Sequence, residues 1–173
     1  MGLIIRQAER SDARALSELA IATYADAFSH SLSAADLAAH LRENLAEACV
    51  ERFIAADVVL LAAIEDRVVG YVQFGDVSMP IDSASGADRE LRRLYVQGDH
   101  QGKGVGTALM QAALDHPRLK GARDIYLDVW ERNRGAQRFY ECFGFEAIGA
   151  RDFTVASGAA MDRDVVMVRR AVR

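Results

Sequence analysis

Gln101-Gly102-Lys103-Gly104-Val105-Gly106 alternates glycine through a short segment between a β-prone run and a helical one. Glycines at this spacing let the backbone turn tightly, reach positive φ, and approach a ligand without side-chain obstruction. A helix opening at that point aims N–H groups outward, where its dipole also favours negative charge. Together these features make a cradle for phosphate. Lys103, one of only two lysines in the chain, lies inside it. Three phosphate-binding patterns compete. A P-loop needs four residues between its glycines and then Lys-Ser/Thr, but Gly98 and Gly102 enclose three and Gly104 follows Lys103. A dinucleotide fingerprint needs a third small residue where this chain has Leu109. The pattern Q/R-x-x-G-x-G/A is met at Gln101, Gly104 and Gly106. A simple structural turn is the plain alternative.

A second constellation follows the next β-prone run, from Val129 through Asn133, Ala136, Phe139 and Tyr140 to Gly144-Phe145. Asn133 has the character of a helix N-cap. Ala136, Phe139 and Tyr140 share one helical face, which by itself asks only for packing. With the glycine segment, this spacing resembles the two signatures of the GNAT superfamily of acetyl-CoA-dependent N-acetyltransferases. The second is V-x-x-x-N-x-x-A-x-x-F-Y-x-x-x-G-F, and every fixed position is filled.

The resemblance implies a GNAT-like single domain over residues 1–173. Its mixed α+β sheet is splayed open between strands at 91–96 and 125–130. It also implies coenzyme A in the opening, with the pantetheine arm along the backbone of Leu94, Tyr95 and Val96. Residues 101–107 (Gln101, Gly102, Lys103, Gly104, Val105, Gly106, Thr107) would hold the pyrophosphate. Asn133, Ala136, Phe139 and Tyr140 would line the cofactor, with Tyr140 near its sulfur.

The chemistry implied is direct attack of an amine on the acetyl thioester within a ternary complex, aligned reactants lowering the barrier. A backbone N–H near Val96 polarises the carbonyl, and Tyr140 either protonates the departing thiolate or orients the sulfur. An alkylammonium has a pKa of about 10.4, so a general base is expected. Glu90 is the first choice, a solvated surface glutamate the plain alternative. Cys142 is a poor covalent nucleophile for this site, lying roughly 200° around the helix from Tyr140 at 3.6 residues per turn.

Most of the chain resembles the PaiA-type bacterial polyamine N-acetyltransferases. The stretches are Ile21–Phe28, Glu90–Val96, Trp130-Glu131-Arg132-Asn133 and Asp164–Met167. The implied acceptors are spermidine and spermine. A polyamine asks for spaced carboxylates and an aromatic face, which Glu90, Glu131, Asp26, Tyr24 and Trp130 can offer. Core aromatics and solvated carboxylates are the plain readings of the same residues. Another amine acceptor (a protein N-terminus, an amino acid or an antibiotic) and a non-catalytic acyl-CoA sensor are the alternatives.

The elements that must position these residues alternate along the chain. A strand at 3–7 precedes a helix capped by Ser11 and running to Phe28, a helix from Ser33, and a short one over 46–55. A hairpin of 58–64 and 68–74 follows, then a loop over 75–89 and a strand at 91–96. Next come the glycine segment, a helix over 105–116 stopped by Pro117, a strand at 125–130, and a helix over 134–143. Strands at 147–153 and 165–168 close the chain. This order predicts a central, mixed, mostly antiparallel twisted sheet of about seven strands with helices on both faces.

At 173 residues and 51% hydrophobic, the chain suits one ordinary core. The net charge of −4 disfavours a nucleic-acid binder. Residues 1–89 carry 14 acidic and 7 basic groups, and residues 90–173 carry 11 and 14. The proposed anion cradle thus falls in the basic half, and the expected acceptor walls in the acidic half. No run approaches the ~18 apolar residues of a membrane span. Two distant cysteines, without metal-ligand spacing, predict no metal site and free thiols in the cytoplasm. A homodimer is expected from the resemblance alone.

Overall fold

A computed structural model describes residues 2–28, 33–154 and 160–171. In chain order its elements are β1 (Ile4–Gln7), α1 (Ala13–Phe28), α2 (Ala34–Asn44), α3 (Glu47–Ala56), β2 (Val58–Ile64), β3 (Arg67–Asp76) and β4 (Arg89–Val96). They continue with α4 (Val105–Asp115), α5 (Pro117–Lys120), β5 (Asp124–Trp130), α6 (Arg134–Cys142), β6 (Glu146–Thr154) and β7 (Ala160–Arg170). The strands pair in the order β1-β2-β3-β4-β5-β7-β6. β4 and β5 run parallel, while β1–β2, β2–β3, β5–β7 and β6–β7 are antiparallel. The expected mixed, mostly antiparallel seven-stranded sheet is therefore present. Two compact units divide the chain: Met1–Phe74 with Arg93–His116, and Gly75–Arg92 with Pro117–Arg173.

In the first unit, α1 buries Leu16, Leu19, Ala20 and Tyr24 against Val59, Leu61 and Tyr71 of the sheet. Ser11 does not cap α1. It lies inside a 3₁₀ turn, and Asp12 accepts from the Glu9 N–H (2.8 Å) instead. Arg6 holds the same carboxylate through two 2.7 Å hydrogen bonds, and a charged acceptor fixed in this way outcompetes a hydroxyl. Ser33 does cap α2, its Oγ accepting from Asp36 N at 3.1 Å. The β2–β3 hairpin closes through Glu65 and Asp66 at φ 51° and 63°, a two-residue left-handed turn without glycine. Pro117 does more than end α4: it opens α5, where its missing N–H costs nothing.

In the second unit, β5 pairs with β7 along its whole length. Its parallel ladder with β4 covers only Arg89–Glu90 against Ile125–Tyr126. β7 is longer than its apolar run, because β6 pairs it through polar positions such as Arg151↔Asp164 and Asp152↔Arg163. β3 extends into the expected 75–89 loop as far as Asp76. Two carboxylates pin the remainder. The buried Asp88 accepts from Ser85 N (2.7 Å) and from the Arg123 guanidinium (2.9 and 2.7 Å). Burial opposes its ionisation, but these donors outweigh it and hold the carboxyl below the usual carboxylate range. Glu90 is the second anchor. Among the described residues, no helix is long and apolar enough to cross a membrane.

Candidate functional site

The glycine segment joins the end of β4 to the start of α4. Gly98–His100 forms a 3₁₀ turn, and Gly102 and Gly104 then adopt φ +70° and +84°. A Cβ at either glycine would have nothing within 4 Å, so the left-handed backbone demands glycine and the space beside it is open. Gly104 is the N-cap of α4, and Ala108 N returns to Gly104 O at 2.9 Å. The N–H groups of Val105, Gly106 and Thr107 precede the first intrahelical bond and have no acceptor within the helix. Val105 is buried and anchors the turn; Gln101, Lys103 and Thr107 are exposed. Gln101 Nε2 donates to Val96 O at 3.0 Å, tying the segment to the strand before it. An oriented N–H array, a helix dipole and an exposed ammonium together suit a pyrophosphate.

Leu94, Tyr95 and Val96 end β4, all half-buried. Gln97 N continues outward to Val69 O at 2.9 Å. Tyr95 meets Tyr71 edge-on, centroids 5.6 Å apart, and burial pushes the Tyr71 phenol above its ordinary value. Arg93 lies over Phe53 (4.4 Å) and donates to Gln73 Oε1 (2.7 Å). Gln73, fully buried, in turn donates to Asp57 Oδ2 at 2.7 Å.

In the second unit, α6 has local causes for the Asn133, Gly144 and Phe145 positions of its signature. Asn133 Oδ1 accepts from Ala136 N at 3.0 Å, so the N-cap is real. Gly144 at φ +83° ends the helix, and Phe145 N returns to Tyr140 O at 3.2 Å. This glycine-closed terminus folds the buried Phe145 edge-on against the buried Tyr140, centroids 5.9 Å apart. Phe139 also meets Tyr140 edge-on, centroids 5.5 Å apart. Three residues unremarked in the sequence complete the support. Buried Gln137 donates to Trp130 O (3.0 Å) and Glu131 O (2.9 Å) and accepts from Arg134 (3.0 Å), locking the turn between β5 and α6. Arg169 Nε donates to Phe143 O at 2.9 Å. The one signal for Gln137 was a polar residue three positions before Tyr140 on the packed face.

Glu90 is not the solvated surface carboxylate of the plain alternative. It is 7% exposed, and Oε2 accepts from Ser78 N (2.7 Å), Ser78 Oγ (3.0 Å) and Met79 N (3.0 Å). Arg92 Nη1 stands 3.0 Å from the same oxygen and also bonds Ser78 Oγ. Through that oxygen Glu90 holds residues 78 and 79.

The five residues expected at the acceptor are distributed as follows. In the first unit, Tyr24 belongs to the core and stacks on His40 (4.2 Å, 11°), while Asp26 is exposed on α1. In the second, Glu90 lies opposite Tyr126, four residues before Trp130, so about 13 Å of β5 separates the level of Glu90 from Trp130, and Glu131 lies beyond the strand's end. Trp130 and Glu131 are half-buried, and the Arg132 guanidinium lies 6.0 Å from the Trp130 ring. His40 has its pKa lowered by burial and then by Arg93, against an opposing effect of Glu43. Cys142 is exposed and Cys49 buried, both as free thiols.

Residues 14–145 match the profile of the acetyltransferase (GNAT) family. An uncharacterized N-acetyltransferase of Mycobacterium tuberculosis is 30% identical over 164 residues, 94% of this chain and 99% of that protein. The spermine/spermidine N(1)-acetyltransferase of Bacillus subtilis is 31% identical over 90 residues, 51% of this chain and 59% of its own length. Among solved structures, the PaiA N-acetyltransferase from Thermoplasma acidophilum, crystallised in complex with coenzyme A, superposes with a TM-score of 0.79. It shares 20% identity and covers 99% of this chain and 100% of that one, a likeness of fold alone.

Proposed function

The chain belongs to the acetyltransferase (GNAT) family, and from that premise we propose that the amine it acetylates is a polyamine such as spermidine or spermine. It is an acetyl-CoA-dependent N-acetyltransferase. The observation that carries the acceptor assignment is the 90-residue stretch shared with the Bacillus subtilis spermine/spermidine enzyme. The acidic balance of residues 1–89 supports a cationic acceptor.

Acetyl-CoA supplies an activated thioester. The open cradle at Gly102 and Gly104, with the first-turn N–H groups of α4 and Lys103, fits its pyrophosphate. We assign the backbone of Leu94, Tyr95 and Val96 to the pantetheine arm, the N–H near Val96 to the thioester carbonyl, and Asn133, Ala136 and Phe139 to further cofactor contact. Tyr140 donates its phenolic proton to the departing thiolate; its edge-on partners Phe139 and Phe145 fix the ring for that transfer. Glu90 is assigned to holding residues 78 and 79, which leaves deprotonation of the ammonium to water. Asp26 and Glu131 are the candidate partners for acceptor ammonium groups; the core packing of Tyr24 argues against direct contact with the acceptor.

Release of free coenzyme thiol, followed across spermidine, spermine, alanine-terminated peptides and aminoglycosides, tests this reading. Turnover is expected with the two polyamines. Turnover with peptides but not spermidine refutes the acceptor assignment, and tight acetyl-CoA binding without turnover of any amine favours the sensor alternative.

A further inference from the structure

We propose that Gly70 is a positioning residue for the acyl-donor strand, setting the path of Tyr95–Gln97 and through it the glycine segment. The inference rests on the assignment of Leu94–Val96 to acetyl-CoA. Gly70 lies in β3 at an irregularity: it pairs with Ala62, while Val68 pairs with Ala63, so Val69 is an extra residue on that strand. Such a bulge bends a strand and re-aims its groups. Here it presents Val69 O to Gln97 N at 2.9 Å, just beyond the end of β4.

The adjacent Gly70 lets β4 come close. A Cβ at this position would meet Tyr95 O at 2.9 Å, Leu109 Cδ1 at 3.1 Å and Val96 Cγ2 at 3.3 Å. The first of these is backbone and cannot rotate away. Ordinary contact begins near 3.4 Å, so an alanine would drive Tyr95 O outward by roughly 0.5 Å. The displacement would pass along a connected path. Val96 O, the next carbonyl, accepts from Gln101 Nε2, and Gln101 opens the segment that leads into α4. Gly70 has no reason of its own to be glycine, since it is not among the glycines with positive φ. Its reason is the neighbour.

The test is Gly70→Ala, read by calorimetric titration with coenzyme A and by steady-state kinetics, beside Gly149→Ala, where the added Cβ meets nothing within 4 Å. Gly70→Ala is expected to raise the coenzyme A Kd and the acetyl-CoA KM by about ten-fold, the worth of about one backbone hydrogen bond. The amine KM and the kcat at saturating acetyl-CoA should stay within about two-fold, the pattern of lost uniform binding. Gly149→Ala should bind like wild type. Gly70→Ala/Leu109→Val eases one side-chain contact and leaves the carbonyl contact, so it should recover thermal stability but not coenzyme A affinity. Recovery of both would overturn the proposal, as would wild-type affinity in Gly70→Ala or equal loss in Gly149→Ala. A double variant that does not fold overturns it too, because the contact would then support the fold and not the strand's path. Wild-type protein that does not bind coenzyme A would overturn the acyl-donor assignment itself, a result separable from all of these.

Discussion

Replacing Glu90 distinguishes a latch from a base. Its Oε2 accepts three hydrogen bonds, from Ser78 N, Ser78 Oγ and Met79 N, and faces Arg92 at 3.0 Å. Glu90→Gln keeps the shape and an acceptor oxygen but removes the charge, and charge-assisted hydrogen bonds are roughly twice as strong as neutral ones. The expected loss of stability is about 1–2 kcal/mol, a fall in Tm of about 2–8 °C for a chain of this size. Glu90→Ala strands the buried Met79 N–H as well, and about 2–4 kcal/mol is expected. Urea denaturation and limited proteolysis of the 77–88 segment would read these losses. A latch predicts that Glu90→Gln loosens the segment while kcat/KM falls less than ten-fold and keeps its pH profile. That profile should rise with pH toward the acceptor ammonium pKa of about 10.4. A general base predicts the opposite: a loss of about 10²–10⁴-fold with the acidic limb of the profile removed. That loss, with unchanged stability and an unchanged proteolytic pattern, would refute the latch.

Three further outcomes are expected. Glu65→Asn with Asp66→Gly places the preferred residues in the left-handed turn between β2 and β3, and calorimetry should show about 1 kcal/mol of added stability without a change in activity. His40, whose pKa is lowered in the folded protein, binds its proton more readily when unfolded. Its contribution is therefore complete above the unfolded value of 6.5 and declines as pH falls through 6.5 toward the lower folded value. Denaturation midpoints should drop over that window and flatten in His40→Phe. Gly104→Ala forces a side chain into φ +84°, a strain of about 1–2 kcal/mol, and should weaken acetyl-CoA binding in titration while leaving the amine KM unchanged.

The parts of the site legible in the sequence are those with local causes. Asn133 caps its own helix, Gly144 ends it, and Phe145 folds back five residues onto Tyr140; all of this is written within one short stretch. The glycine segment is equally local, since Gly102 and Gly104 are required by their own φ. Illegible were residues whose reasons lie elsewhere in the chain. Gly70 answers to a carbonyl 25 residues later, and Glu90 to donors 11 and 12 residues earlier across a loop. The solvated alternative for Glu90 did not anticipate an oxygen held by three donors. Ser11 met the rule for a cap, but Arg6 aligned a stronger acceptor one residue on. Tyr24, whose plain alternative was a core aromatic, packs in the core of the first unit.

The hydrogen bond from Gln101 to Val96 O has a kinetic consequence. It closes a five-residue loop upon its own strand, so the glycine segment proposed to hold the pyrophosphate should take its shape when the chain folds and not when a nucleotide arrives. Ordering a residue costs about 1–2 kcal/mol, and here that cost falls on folding. Association with coenzyme A should then follow a single exponential linear in concentration, without the saturating phase that a loop ordering after encounter would impose.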